Sequence, residues 1–175
     1  VTTGNLLVVA GSIFSGPLSA VITSNCSDTF TVVLSEVFNG AVKNFIAYAL
    51  ATSSGACQVT VNPANADEYF TFSIDEFSGV NSTPLDVDGG STKSFGDFAH
   101  ADSITTVSEN ALIIGVMSVW SGTTVEKTPG GSYTQIGEIE EYGSDQGHNA
   151  VFRMATTPTS YSVDWTTGTS LDGVA

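Results

Sequence analysis

Basic residues are scarce in this sequence. Four Lys and Arg residues stand against 18 Asp and Glu residues, which gives a formal net charge of −14 at pH 7. Such a surface repels phosphate backbones and anionic lipid headgroups. We therefore exclude nucleic acid as a direct partner.

Long apolar runs are missing as well. No segment approaches the roughly 18 uninterrupted apolar residues of a membrane-spanning helix, so membrane insertion is not predicted. No basic segment followed by an apolar run indicates a signal peptide. The sequence stops at Leu171-Asp172-Gly173-Val174-Ala175, which resembles the start of a strand. We expect a single domain over residues 1–175, with a last strand that is incomplete or is supplied from elsewhere.

Cysteine occurs only twice, as Cys26 and Cys57. Neither lies in a CxxC pair or beside a His, which argues against zinc binding and thiol redox chemistry. Each borders a predicted strand. In an oxidising compartment they would form a disulfide that closes a loop of about 32 residues and contributes about 3.5 kcal/mol in the chain-entropy model. The alternative is two buried free thiols.

Charged residues make up only 13% of the chain, and short apolar runs recur between Gly, Asn, Asp, Ser and Pro. This pattern is typical of a β-sandwich or barrel and predicts about twelve strands. The predicted strands are residues 6–10, 20–23, 29–35, 45–51, 58–62, 68–77, 103–107, 111–119, 133–141, 150–156, 160–165 and a run that starts at Leu171. Residues 86–99, 122–131 and 143–149 are predicted to be loops.

Polar and apolar side chains alternate most clearly in residues 69–75. The apolar set is predicted to face the core and the polar set to face solvent. These sets are Phe70, Phe72 and Ile74 against Thr71, Ser73 and Asp75. About twelve antiparallel strands exceed the seven to nine of an immunoglobulin domain. The fold class is therefore all-β, an antiparallel β-sandwich that is either jelly-roll-like or an elaborated immunoglobulin-like domain.

Three segments carry a resemblance to a known family: Thr3-Gly4-Asn5-Leu6-Leu7-Val8-Val9-Ala10, Glu76-Phe77-Ser78-Gly79-Val80 continuing to Pro84-Leu85-Asp86, and Ser160-Tyr161-Ser162-Val163-Asp164-Trp165. In this order and spacing the chain resembles a recurrent β-sandwich module of bacteriophage virion and tail proteins and of large bacterial surface proteins. The resemblance covers nearly the whole chain. It implies an outward-facing building block without catalysis, extracellular or on a virion surface. Family members usually continue past the position of Ala175 and lack the two cysteines.

The most enzyme-like feature is the acidic strand Glu138-Ile139-Glu140-Glu141. Two carboxylates on alternate positions could share general acid and base roles. The strand loosely resembles the catalytic strand of jelly-roll glucanases, which carries Glu, Asp and Glu on alternate positions. Here Glu140 replaces the Asp and Tyr142 stands in place of the third carboxylate. Because solvated carboxylates are common on strands, a jelly-roll glycosidase is the least favoured function.

Two further sets of residues are candidate binding sites. Asp86 and Asp88 precede a glycine pair and could hold Ca²⁺ with carbonyl oxygens, although an ordinary turn is favoured. No other cofactor is predicted. Trp120, Tyr133 and Tyr142 could stack on sugar rings if they are exposed. The alternative, aromatic rings packed in the core, is favoured for Trp120 and more strongly for Trp165.

The two histidines, His100 and His148, lie far apart in sequence, and no nucleophile motif accompanies them. A catalytic triad is therefore not predicted. His148 is predicted to lie in a loop, and His100 to form a surface ion pair with Asp102.

The favoured function is a non-enzymatic structural or assembly module of a virion, as a capsid decoration, tail or fibre protein, or of a cell surface. Its partners would be copies of itself or other structural proteins, joined partly by strand addition. The alternative is a carbohydrate-binding adhesion module.

Overall fold

Within the part of the chain that the structure describes, every regular element is a β-strand, and every pair of neighbouring strands is antiparallel. The structure, a computed structural model, describes residues 1–14, 20–38, 42–64, 69–89, 93–120, 127–140 and 146–174. The predicted all-β antiparallel sandwich is confirmed. The described residues include no helix that is long and apolar enough to span a membrane.

The strands follow one another closely along the chain. They are β1 (Leu6–Phe14), β2 (Ala20–Ser24), β3 (Thr31–Phe38), β4 (Val42–Leu50), β5 (Val59–Pro63), β6 (Tyr69–Phe77), β7 (Lys93–Thr105), β8 (Ala111–Trp120), β9 (Lys127–Pro129), β10 (Thr134–Glu140), β11 (Gln146–Ala155) and β12 (Ser160–Val174).

The two halves of the chain form separate sheets. The first sheet has the order β3-β4-β1-β6, and the second has the order β10-β11-β8-β12-β7 with β9 paired to β12. In the sandwich, β6 lies over β10, β1 over β8 and β11, and β3 over β12. The chain thus passes from one sheet to the other only between β6 and β7. An immunoglobulin domain, by contrast, passes between its sheets several times.

Strand β1 is buried on both faces. On one face, Ala10 packs against Val116 and Ala150 of the second sheet. On the other face, Val9 and Ile13 pack against the two-stranded ribbon of β2 and β5. This ribbon forms a third layer over the first sheet. Burial on both faces explains why β1 is almost continuously apolar instead of alternating.

The predicted orientation of β6 was only partly right. Phe72 packs against the buried cluster that contains Val9 and Ile13, as predicted, but the rest of the strand differs. Ser73 faces the second sheet, where its Cβ lies 2.5 Å from the place a Cβ on Gly137 would take. Phe70 and Ile74 point to the opposite side and are 36% and 43% exposed. The register with β1 sets this arrangement, because it puts the apolar face of β6 on the ribbon side, which the short ribbon covers only in part.

Parts of all three predicted loops are strands. Strand β7 already begins at Lys93, β9 occupies 127–129, and β11 begins at Gln146. The run that starts at Leu171 is a continuation of β12, paired on both sides with β7 and β8. His148 is fully buried in β11 and is not a loop residue. These segments lack apolar alternation, and they are strands because long neighbouring strands hydrogen bond to them.

Candidate functional site

Two of the aromatic residues proposed to bind sugar, Trp120 and Tyr133, lie far apart on the second sheet. Trp120 ends β8, where its backbone lies opposite Gln146 and Asp172. Tyr133 directly precedes Thr134, the first residue of β10, which lies at the level of Phe152 and Ile114. Trp120 therefore lies roughly 20 Å farther along the sheet than Tyr133. Tyr142 lies outside the described residues.

The ring of Tyr133 already has a partner. The guanidinium carbon of Arg153 lies 5.8 Å from the centre of this ring and 5.0 Å from the centre of the Tyr161 ring. Burial raises the pKa of the Tyr133 hydroxyl, and the charge of Arg153 offsets part of the rise. Two rings around one guanidinium form a cation–π cluster that stabilises the outer side of the second sheet. The geometry does not favour a sugar platform here.

Asp86 holds the segment that crosses between the sheets. Its carboxylate accepts hydrogen bonds from the backbone N–H of Val107 at 2.8 Å and of Ser108 at 3.1 Å, and from the Ser108 hydroxyl at 2.8 Å. These bonds lower the pKa of Asp86. The other candidate calcium ligand, Asp88, is exposed. Two carboxylates fall short of the six to eight oxygen ligands of Ca²⁺, so calcium binding stays a prediction.

The candidate catalytic carboxylates lie in β10. The register sets Glu138 opposite Asn149 and Glu140 opposite Gly147 in β11. Glu141 lies outside the described residues. In the predicted His100–Asp102 pair, His100 lies in β7 with its backbone opposite Asp164. Glycosidase activity at β10 stays a prediction.

Cys26 and Cys57 form a disulfide at one end of the β2–β5 ribbon, with their Cα atoms 5.7 Å apart. Asp28, which the sequence analysis missed, lies beside it and is nearly buried. Its carboxylate accepts hydrogen bonds from the Ser24 hydroxyl at 2.8 Å and from the Thr52 N–H and hydroxyl, each at 2.9 Å. Burial raises the pKa of Asp28, but these hydrogen bonds outweigh it and lower the pKa overall.

The atoms of this cluster that would bind a metal already have partners. The two sulfur atoms form the disulfide, and the Asp28 carboxylate accepts hydrogen bonds. The sulfur atoms and an Asp28 carboxylate oxygen lie within 4.8 Å of one another. A disulfide offers no thiolate, however, and thiolate is the form of cysteine that binds metals. The cluster therefore fastens the ribbon layer to the first sheet.

Polar side chains are also buried between the sheets. The Oδ1 atom of Asn44 accepts hydrogen bonds from the hydroxyls of Ser12 at 2.9 Å and Ser118 at 2.6 Å, which joins β4 to β1 and to β8. On the other side of the second sheet, the indole N–H of Trp165 donates to Asn149 at 2.9 Å. The predicted burial of Trp165 is confirmed. Such satisfied networks fix the register of packed sheets rather than forming an open site.

A cleft of about 890 Å³ opens at the end of the sandwich where the chain crosses between the sheets. Both sheets and the crossing segment line it, and its charged lining residues are all acidic. Its apolar walls include Leu6, Val8, Ile46, Tyr48, Leu112 and Ile114, and its acidic residues are Glu76, Asp86, Asp88 and Glu109. The cleft could not be predicted from sequence patterns, because its walls come from strands that are distant in sequence.

Comparison of the chain with protein-family models, with curated proteins and with solved structures finds no match. Its function must therefore be inferred from its own residues and their geometry.

Proposed function

We propose that this chain is a non-enzymatic structural module that assembles with copies of itself, extracellularly or on the surface of a virion. The observation that supports this proposal most strongly is the outer edge of β6. No described strand pairs with that edge. An unpaired edge presents a row of backbone N–H and C=O groups that can accept a strand from another molecule.

Edge β6 differs in its regularity from β3, β7 and β10, the other edge strands of the two large sheets. Pairing is interrupted between Val32 and Leu34 in β3 and between Gln135 and Gly137 in β10, and β7 pairs irregularly with β12. Bulges of this kind protect edges from adding strands. Strand β6 instead pairs with β1 without a break over its nine residues. Its sequence also lacks the Lys and Pro residues that commonly protect an edge.

The side chains of β6 favour a second copy as the added strand. Tyr69, Phe70 and Ile74 are 58%, 36% and 43% exposed. In an antiparallel pair of β6 strands aligned on Phe72, each Phe70 lies opposite an Ile74 of the other copy. The apolar stripe then runs unbroken across the interface. This contact is self-complementary, as a two-fold interface requires.

The charge of the chain opposes this assembly at low ionic strength. Each copy carries a formal charge of −14, and Asp75 and Glu76 lie at one end of β6. Screening by salt shortens the range of this repulsion. We therefore expect the association to strengthen as salt is added, up to the point where the repulsion is screened.

The test is the mass of the particle in solution. Light scattering coupled to size exclusion should show dimers or larger assemblies whose share grows with protein concentration and with NaCl. The variant Ile74→Lys should be monomeric under the same conditions, because a charge at the edge blocks strand addition. Its free energy of unfolding should change by less than about 0.5 kcal/mol, because Ile74 lies at the surface.

The matched control is Val107→Lys, which adds the same charge at a position that is 74% exposed in the turn between β7 and β8. This variant should assemble like the original chain. A chain that stays monomeric at every concentration and salt level would contradict the proposal, as would assembly that Ile74→Lys leaves unchanged.

A further inference from the structure

The cleft at the crossing end of the sandwich is a place where the two sheets do not fill the space between them. Ile46 packs with Ala10 and Val116, so this face of β4 points toward the second sheet. Tyr48, two residues later in β4, lies on the same face. The side chains of Ile46 and Tyr48 are both only half-buried. At the other end of the sandwich, Phe14 and Val42 are fully buried.

The second sheet shows the same change in burial along its strands. Val116 of β8 is buried in the core, whereas Ile114 and Leu112, on the same face, are half-buried and line the cleft. Apolar side chains that face each other across a sandwich normally interdigitate. Here they border open space, which leaves apolar area without a partner and therefore costs free energy.

The crossing segment forms the rim of the cleft and is held in place. The hydrogen bonds from Val107 and Ser108 to Asp86 tie it to the turn between β7 and β8. At the other side, the rings of Phe77 and Phe152 meet edge to face at 5.6 Å and close the space between β6 and β11. These hydrogen bonds and the ring contact hold the walls of the cleft in place. The volume of the cleft, about 890 Å³, falls in the range of small-molecule sites.

The charge at the rim selects the kind of ligand. Among the described residues that line the cleft, four are acidic and none is Lys or Arg. The carboxylates of Glu76 and Asp86 already accept hydrogen bonds. Asp88 and Glu109 are exposed and make no hydrogen bond or ion pair within the described part of the chain. A cation at the rim would be attracted to these two carboxylates, and an anion would be repelled.

We propose that the cleft binds a small amphipathic cation, with an apolar body between the two sheets and an amine or ammonium group at Asp88 and Glu109. The lining of the cleft includes Glu76 and Phe77 at the end of β6, but not Phe70 or Ile74, on which the assembly proposal rests. The proposal does not depend on the assembly proposal, and each is tested by a different measurement.

The test uses the neutral dye N-phenyl-1-naphthylamine, whose fluorescence rises in apolar surroundings. The folded chain should bind the dye, and decylamine, decanol and decanoate should displace it to different extents, each used below its micelle concentration at neutral pH. We expect decylamine to displace the dye at about tenfold lower concentration than decanoate, with decanol between them. The double variant Asp88→Asn, Glu109→Gln should lose most of the difference between decylamine and decanol.

A second variant tests where the dye binds. Ile114→Trp fills the cleft and should abolish dye binding. The matched control Val21→Trp adds the same side chain at a position of β2 that is 64% exposed and does not line the cleft, so it should retain dye binding. Near-ultraviolet circular dichroism checks that both variants are folded. If Ile114→Trp does not fold, the double charge variant still gives an independent result.

Three outcomes would overturn the proposal: no dye binding by the original chain, displacement by decanoate as effective as by decylamine, or full dye binding by a folded Ile114→Trp.

Discussion

Individual polar side chains in the interior of this sandwich differ in how many hydrogen bonds they make. Asn44 accepts two hydrogen bonds and thereby connects the sheets. Asp28 accepts three and is stabilised in its charged form. Asp75 is the contrasting case, because its Oδ2 atom is buried without a hydrogen-bond partner among the described residues. Burial of the carboxyl raises its pKa.

The variant Asp75→Asn should therefore change how stability depends on pH. A raised pKa means that the folded chain holds the proton more tightly than the unfolded chain. The stability that this tighter proton binding contributes is lost as the pH rises from the pKa of Asp75 in the unfolded chain, near 3.8, through its higher pKa in the folded chain. At pH 7 we expect the variant to be more stable by up to about 1 kcal/mol, since water partly screens this half-buried carboxyl.

Urea unfolding of the original chain and the variant at several pH values measures this difference, which should vanish below the unfolded pKa. An Asp75→Asn effect that is equal at every pH would refute the explanation.

Two strands from different sheets approach unusually closely where β6 lies over β10. A Cβ added at Gly137 would lie 2.5 Å from Ser73 Cβ and 2.8 Å from Ser73 Oγ. Contacts this short force neighbouring atoms to move. The absence of a side chain at Gly137 therefore allows the two edge strands to pack together.

We expect Gly137→Ala to lower the free energy of unfolding by about 1 to 3 kcal/mol, because of this overpacking. Ser73→Gly removes the opposing side chain, so the double variant should be more stable than Gly137→Ala alone. A double-mutant cycle with urea unfolding measures the coupling between the two positions. Strictly additive effects would show that the close approach carries no energetic cost.

Acidic residues far outnumber basic ones in the whole molecule, with 18 Asp and Glu residues against four Lys and Arg residues. One ion pair joins the amino terminus of Val1 to Glu76 at 3.8 Å. The excess of acidic residues therefore repels itself in the folded state, since folding brings the carboxylates closer together.

Salt should stabilise the folded chain for this reason. Moving from low salt to about 0.5 M NaCl shortens the Debye length to a few ångströms and should raise the Tm by about 2 to 4 °C. Calorimetry of the monomeric Ile74→Lys variant separates this effect from assembly. Sucrose at equal osmolality is the control. Because it carries no charge, it should not raise the Tm at the low concentrations at which NaCl already does. An unchanged or falling Tm with NaCl would contradict the prediction.

The sequence by itself determined the class of the fold and the position of most strands. Turn residues and short apolar runs are local features, and they predicted β1, β8 and the burial of Trp165 correctly. The pairing of Cys26 and Cys57, one of the alternatives left open by the sequence, is present in the structure. Charge also followed directly from composition, because it does not depend on how the chain is arranged.

Only the tertiary structure decided which faces are covered. Alternation in β6 separates Phe70 from Thr71 but does not say which of them faces the second sheet, since that depends on the register with β1. The same holds for the two-sided burial of β1, for His148 within β11 and for the acidic cleft. Periodicity is a local property of a strand, whereas burial depends on the layers that distant parts of the chain place over it.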